Sequence, residues 1–100
     1  MVARIVIDRT LEFLMNMPKK AFVIIDGQLK EKAFHSKTIE GDTIKLYVYL
    51  DDGHGLLTEA KLVDEHDIEL DKYMTHIEQG EDGIMVVYTL TVSLKGVVQQ

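Results

Sequence analysis

The stretch that decides the fold is IMVVYTLTVSL, which spans residues 84–94. Its side chains alternate with a period of two, and many are β-branched, which is typical of a β-strand. One face is apolar throughout and consists of Ile84, Val86, Tyr88, Leu90, Val92 and Leu94. We expect the opposite face to be covered at Met85 and Val87 and to meet water beyond Thr89.

Two further stretches predict strands in the same way. Residues 43–50 place four apolar side chains on one face and Lys45, Tyr47 and Tyr49 on the other, so we expect a strand with one buried face. Residues 21–25 are apolar on both faces, which predicts a central strand covered on each side.

An Asp-Gly pair at positions 26 and 27 follows the strand predicted over residues 21–25. Both central residues of a type I′ turn need a positive φ, and Asp-Gly is among the pairs that supply it most readily. The sequence therefore predicts a β-hairpin whose second strand begins at Gln28.

The other segments give weaker signals. We expect a strand over residues 3–7, and a strand over 56–63 that pairs with 43–50 across the turn at 51–55. Residues 68–77 predict one interrupted strand or two short ones, followed by a hairpin turn at 80–83. Together these segments predict an all-β domain over residues 1–100, a small antiparallel sandwich or barrel of about seven or eight strands.

Residues 10–17 fit two structures. In a strand, Leu11, Phe13, Met15 and Met17 would share a face. In a helix, Thr10 would cap the start, a stripe of Leu and Met would face the core, and Pro18 would end it. Both alternatives stay open on the sequence alone.

Composition narrows the class of protein. The chain has 100 residues, 46% of them hydrophobic and 28% charged, which suits one globular domain. The absence of cysteine excludes disulfides and thiolate metal sites. The apolar stretch near the N-terminus is broken by Asp8 and Arg9 and so lacks the uninterrupted core of a signal peptide, and we expect a cytoplasmic protein or one assembled in a particle. A net charge of −6 and scattered basic residues disfavour nucleic acid and membrane surfaces as partners.

The sequence shows no catalytic pattern. Ser36 adjoins His35, but neighbours on a strand point to opposite faces, so they cannot act as nucleophile and base. The acidic stretch between residues 51 and 71 contains His54 and His66, yet its spacing fits solvated turns better than a metal site. We therefore expect no enzyme activity, no metal and no cofactor.

Tyr47 and Tyr49 are the best candidates for a binding surface. Their rings can stack on a ligand or anchor a protein interface, and Asp52 and His54 follow them in the next turn. The alternative is that both tyrosines pack beneath the segment 10–17 as a second core layer.

These observations predict a structural or protein-interaction module that associates with itself or docks into a larger assembly. Its partner would be a protein. A homo-oligomer is expected because the tail at residues 97–100 and the segment Met15-Asn16-Met17 leave more apolar surface than a chain of one hundred residues buries easily. In outline the chain resembles small accessory and assembly modules, including components of phage particles. A domain that binds a small molecule or a carbohydrate against Tyr47 and Tyr49 is the alternative.

Overall fold

A computed structural model describes residues 3–51, 55–80 and 82–93 of the chain. It contains one helix, followed by strands that account for most of the described residues. In chain order the elements are α1 (Arg4–Asn16), β1 (Lys20–Ile25), β2 (Gln28–Lys32), β3 (Ser36–Glu40), β4 (Thr43–Leu50), β5 (Gly55–Val63), β6 (Glu69–Gln79) and β7 (Ile84–Thr91).

The strands form two antiparallel sheets. The first sheet has the order β2-β1-β5-β6, and the second has the order β3-β4-β7. Among the described strands neither sheet closes into a barrel, so of the two predicted architectures the protein adopts the sandwich. The all-β class and the number of strands are confirmed.

The core lies between the two sheets and is built from the alternating faces of the central strands. Inward-facing apolar side chains on β4 meet those of β1 and β5, and Tyr88 of β7 is fully buried among them. The face predicted to be apolar on residues 43–50 is this inner face. The buried cluster consists of Leu11, Ala21, Val23, Ile25, Ile44, Leu46, Val48, Leu50, Leu57, Ala60, Leu62, Val86, Tyr88 and Val92.

The Asp-Gly hairpin is confirmed. Asp26 and Gly27 have φ values of 52° and 77°, and Ile25 of β1 faces Gln28 of β2 across the turn. The carboxylate of Asp26 also accepts a hydrogen bond of 2.8 Å from the backbone N–H of Leu56, so the turn is tied to β5 as well.

The N-terminal segment is helical, and the strand predicted over residues 3–7 is wrong. The helical alternative for residues 10–17 holds, but the helix begins earlier, at Arg4. Ile7 packs against the core one turn before Leu11, so the apolar stripe has the helical period. Thr10 lies inside the helix and donates its hydroxyl to the carbonyl of Val6 at 2.7 Å, so it is not the N-cap.

The predicted pairing of residues 43–50 with 56–63 is also wrong. β4 pairs with β3 and β7, which occupy both of its edges, and β5 pairs with β1 and β6. The chain therefore crosses from one sheet to the other after β4. It crosses again between β6 and β7, so the turn at 80–83 does not join a hairpin.

The outer face of β7 differs from its prediction. Met85 and Val87, which we expected to be covered, are exposed, because the outward face of β7 carries no second layer from the described residues. The inner face is confirmed over the described residues, with Val86, Tyr88 and Val92 buried and Ile84 and Leu90 half-buried. Leu94, the last predicted member of this face, and the tail at 97–100 lie outside the described residues.

Candidate functional site: the groove between β6 and β7

The sandwich is open along one side, where each sheet ends in an edge strand. β6 is the last strand of the first sheet and β7 the last strand of the second, and a groove of about 250 Å³ lies between them. We call this the β6–β7 groove. Its lining is mostly apolar and comprises Leu57, Ala60, Tyr73, Met74, Thr75, Ile77, Ile84, Met85, Val86 and Val87.

Several of these apolar side chains are exposed to an unusual degree. Met74 is 71% exposed, Ile77 is 45% exposed and Met85 is 43% exposed. Single exposed apolar residues are ordinary, whereas a contiguous exposed set in one groove is typical of surfaces that bind a partner. The β6–β7 groove is therefore the strongest candidate for a functional site in the described part of the chain.

Along the edge of β7 beside the groove, some backbone groups have no partner among the described residues. Val92 donates its N–H to the carbonyl of Asp42 on the β4 side at 2.9 Å, and backbone direction alternates along a strand. The even-numbered residues of β7 are therefore the ones that bond to β4. The outward N–H and C=O groups belong to Met85, Val87, Thr89 and Thr91.

A stacked pair of tyrosines forms the floor next to the groove. The rings of Tyr73 and Tyr88 lie 5.3 Å apart, centre to centre, at an angle of 26°. The hydroxyl of Tyr88 is buried and has no hydrogen-bond partner in the described structure. Burial raises the pKa of Tyr88, and the neighbouring Tyr73 and Asp71 raise it further.

We predict that Tyr88→Phe leaves stability at neutral pH unchanged within about 1 kcal/mol or increases it, because the unpaired buried hydroxyl costs free energy. In the folded protein the pKa of Tyr88 lies above its ordinary value of 10.0, so the unfolded chain loses this proton first as the pH rises. Above about pH 10 the wild type should therefore lose stability, and the variant should lose less. Urea unfolding at neutral pH and at about pH 11 measures both effects. A clear loss of stability in the variant at neutral pH would mean that the hydroxyl has a partner.

The sequence placed the site on Tyr47 and Tyr49 instead. Both lie on the outer face of β4, opposite the core, and α1 does not cover them because its buried residue Leu11 packs into the core. Tyr47 is half-buried and Tyr49 is 40% exposed. The hydroxyl of Tyr49 donates a hydrogen bond of 2.7 Å to the carbonyl of Asp82, which stabilises the turn before β7.

Asp52 and His54, the other two predicted site residues, lie outside the described residues. The pairing that would have placed His54 at the tip of a hairpin is wrong, since β4 and β5 belong to different sheets.

The acidic stretch before β6 behaves as a turn. The carboxylate of Asp64 accepts hydrogen bonds from the backbone N–H groups of His66 and Ile68, at 2.8 and 3.0 Å. The hydrogen bond from Ile68 is the main cause that lowers the pKa of Asp64, and the one from His66 adds to it. Within the described residues no three acidic or histidine side chains are grouped so as to hold a metal ion.

A larger concavity of about 520 Å³ lies between α1 and the turn after β5. Its walls mix an exposed aromatic ring with charges of both signs, including Arg9, Glu12, Phe13, Lys19 and Glu65. None of the buried polar side chains that lack a hydrogen-bond partner in the described structure belongs to its walls. It is a weaker candidate than the β6–β7 groove.

Sequence reasoning missed Tyr73, Met74 and Ile77. One signal was present, because β6 reads ELDKYMTHIEQ and places these apolar side chains in a strand that is otherwise polar. Irregular pairing of β5 with β6 near Leu57 and Glu59 breaks the simple alternation along both strands. The period-two rule therefore could not assign these residues to a face.

Over the described residues, the fold and the groove together define an open-sided β-sandwich of seven strands with one helix. No family model, curated protein or solved structure matches the chain. Within the described residues, no helix has the length and apolar character needed to span a membrane.

Proposed function

We propose that this protein is an interaction module with no chemistry of its own, which docks a protein partner along the β6–β7 groove. It would work in the cytoplasm or as part of a larger particle. The observation that carries this proposal is the exposure of Met74, Ile77 and Met85 in one groove between two strand edges.

The energetics of burial support this function. Fully burying an exposed side chain of this size contributes about 1.5–3 kcal/mol, so three partly exposed ones can supply several kcal/mol to an interface. The edge backbone of β7 adds hydrogen-bonding groups that a strand from a partner can satisfy. A groove that offers both is suited to a polypeptide.

The groove is preferred to the outer face of β4 as the binding surface. Tyr49 already uses its hydroxyl within the protein, and Tyr47 is only half-exposed. A small ligand or a carbohydrate would need convergent polar groups beside the rings. The residue between the two tyrosines on β4 is Val48, which is buried and faces the core, so it adds no polar group to that surface. These observations support a protein partner over a small molecule.

A photo-crosslinking amino acid placed at position 74 tests the proposal in cells of a host that makes the full chain. Position 74 is exposed in the groove, so we expect covalent adducts between this chain and a protein after irradiation. The matched control places the same group at Leu29, which is 62% exposed on the far edge strand β2 and should give few adducts.

Adducts of similar yield at both positions would show only random collision and would contradict the proposal. The absence of adducts at position 74 would also contradict it. Mass spectrometry of the adduct shows whether the partner is another copy or a different protein, and either outcome is compatible with a docking module.

A further inference from the structure

The described strands leave four sheet edges, and three of them carry charged side chains. β2 contains Lys30, Glu31 and Lys32, β3 contains Lys37 and Glu40, and β6 contains Glu69, Asp71, Lys72 and Glu78. Charged side chains on an edge discourage the addition of another strand. β7 differs, because none of its eight residues, IMVVYTLT, is charged or is proline.

The edge of β7 is also regular. Its eight pairs with β4, from Leu50 and Ile84 to Thr43 and Thr91, run without a register shift. β6, the other strand beside the groove, is paired with β5 through two irregular steps. A long, regular, uncharged edge is a template for strand addition, and proteins that keep such an edge use it or suffer aggregation.

We infer that β7 pairs with β7 of a second copy of this chain, antiparallel and about a two-fold axis beside Tyr88. This inference rests on the proposed function and names the partner for the same open side of the sandwich. Residues whose numbers add to 176 would then face each other, so that Val87 pairs with Thr89 and Met85 with Thr91. This register is the one that uses all four residues with outward backbone groups.

The side chains match in this arrangement. On the outer face the facing pairs would be Val87 with Thr89 and Met85 with Thr91, and on the inner face Val86 with Leu90. No like charges meet anywhere along the shared ladder, because β7 has none. The same two-fold pairing applied to β6 would bring acidic residues of the two copies close together, which disfavours it.

A second copy fits better than an unrelated strand for two reasons. The edge is complementary to itself, and an interface built on a two-fold axis closes after two copies and leaves no template for further growth. Pairing would also join the two three-stranded sheets into one of six strands, and the two β6–β7 grooves would face each other across the axis. Met74 and Ile77 would then lie at the interface.

Proline at position 87 is the sharpest test, because it removes an outward N–H without removing a bond to β4. Sedimentation equilibrium of the full chain should show a dimer. Val87→Pro should weaken dimerisation about 100-fold or more, because each of the two symmetry-related copies loses the hydrogen bond that Val87 would donate to its partner. The matched control is Ile39→Pro on β3. Ile39 faces Ile44, whose backbone bonds to β7, so its own N–H points outward at an edge that we expect to stay free.

A measurement on the unaltered protein covers the case in which a proline variant does not fold. In hydrogen exchange, the amides of Val87 and Thr89 should become more protected as the concentration rises, and that of Ile39 should not. A monomer at all concentrations with rapid exchange at Val87 would overturn the inference. If adducts at position 74 then contain a different protein, the proposed docking function stands and only the identity of the partner is wrong.

Discussion

Leu46→Ala should lower the free energy of unfolding by about 2–5 kcal/mol. Leu46 is fully buried at the middle of β4, the central strand of its sheet, and it faces Tyr88 across the ladder to β7. The smaller side chain leaves a cavity between the two sheets, and the strands around it are held by backbone pairing and cannot collapse fully. Because a domain of this size is stable by only about 5–15 kcal/mol, this loss is a large fraction of the total.

Urea unfolding followed by circular dichroism measures the effect, and Leu29→Ala is its matched control. Leu29 is the same residue type on β2, but it is 62% exposed, so its replacement should change stability by no more than about 0.5 kcal/mol. Equal losses in the two variants would contradict the assignment of the core. The comparison also tests the position of β7, because Leu46 lies beside Tyr88 of β7, the strand that we propose as the dimer edge.

The strands that could be predicted are those whose signal is local. Residues 43–50 alternate so regularly that the predicted bounds equal those of β4, Thr43–Leu50. The Asp26-Gly27 turn could likewise be predicted, because its positive φ values are a property of those two residues. Neither prediction needs to know what packs against the element.

The partners of each strand could not be predicted, because they depend on packing between distant segments. The turn residues at 51–55 are compatible with a hairpin and with a crossing between sheets, and only the competition of β3 and β7 for the edges of β4 decides between them. The same is true of residues 3–7, whose β-branched side chains favour a strand locally. The core contacts of Ile7 and Leu11 favour a helix instead.

The candidate site depends on the least predictable property, which is what remains uncovered. Met85 and Val87 look like core residues in the sequence, and they are exposed because no second layer from the described residues covers the outward face of β7. Tyr47 and Tyr49 lie on the outer face as the alternation predicts. Alternation assigns residues to a face, but it does not show which face or edge binds a partner.

Gly83→Ala should destabilise the protein by about 2–5 kcal/mol and disturb the start of β7. Gly83 has a φ of 76°, a conformation that costs an L-residue about 1–2 kcal/mol. A Cβ at this position would also overlap the backbone carbonyl oxygen of Leu50 and lie 2.9 Å from the hydroxyl oxygen of Tyr49. Relieving that overlap requires the backbone to move, which adds a cost of about 1–3 kcal/mol, similar to overpacking a core.

Gly27→Ala separates the two contributions. Gly27 has nearly the same φ, 77°, but a Cβ there meets nothing within 4 Å, so its replacement should cost only about 1–2 kcal/mol. The excess cost at Gly83, measured by urea unfolding, is then the cost of the contacts with Leu50 and Tyr49. Leu50 and Ile84 form the first pair of the ladder between β4 and β7, so Gly83→Ala should also speed hydrogen exchange at Ile84, whose amide bonds to β4. Equal losses at the two glycines, with unchanged exchange at Ile84, would contradict the close approach of this turn to β4 and the position of β7 that depends on it.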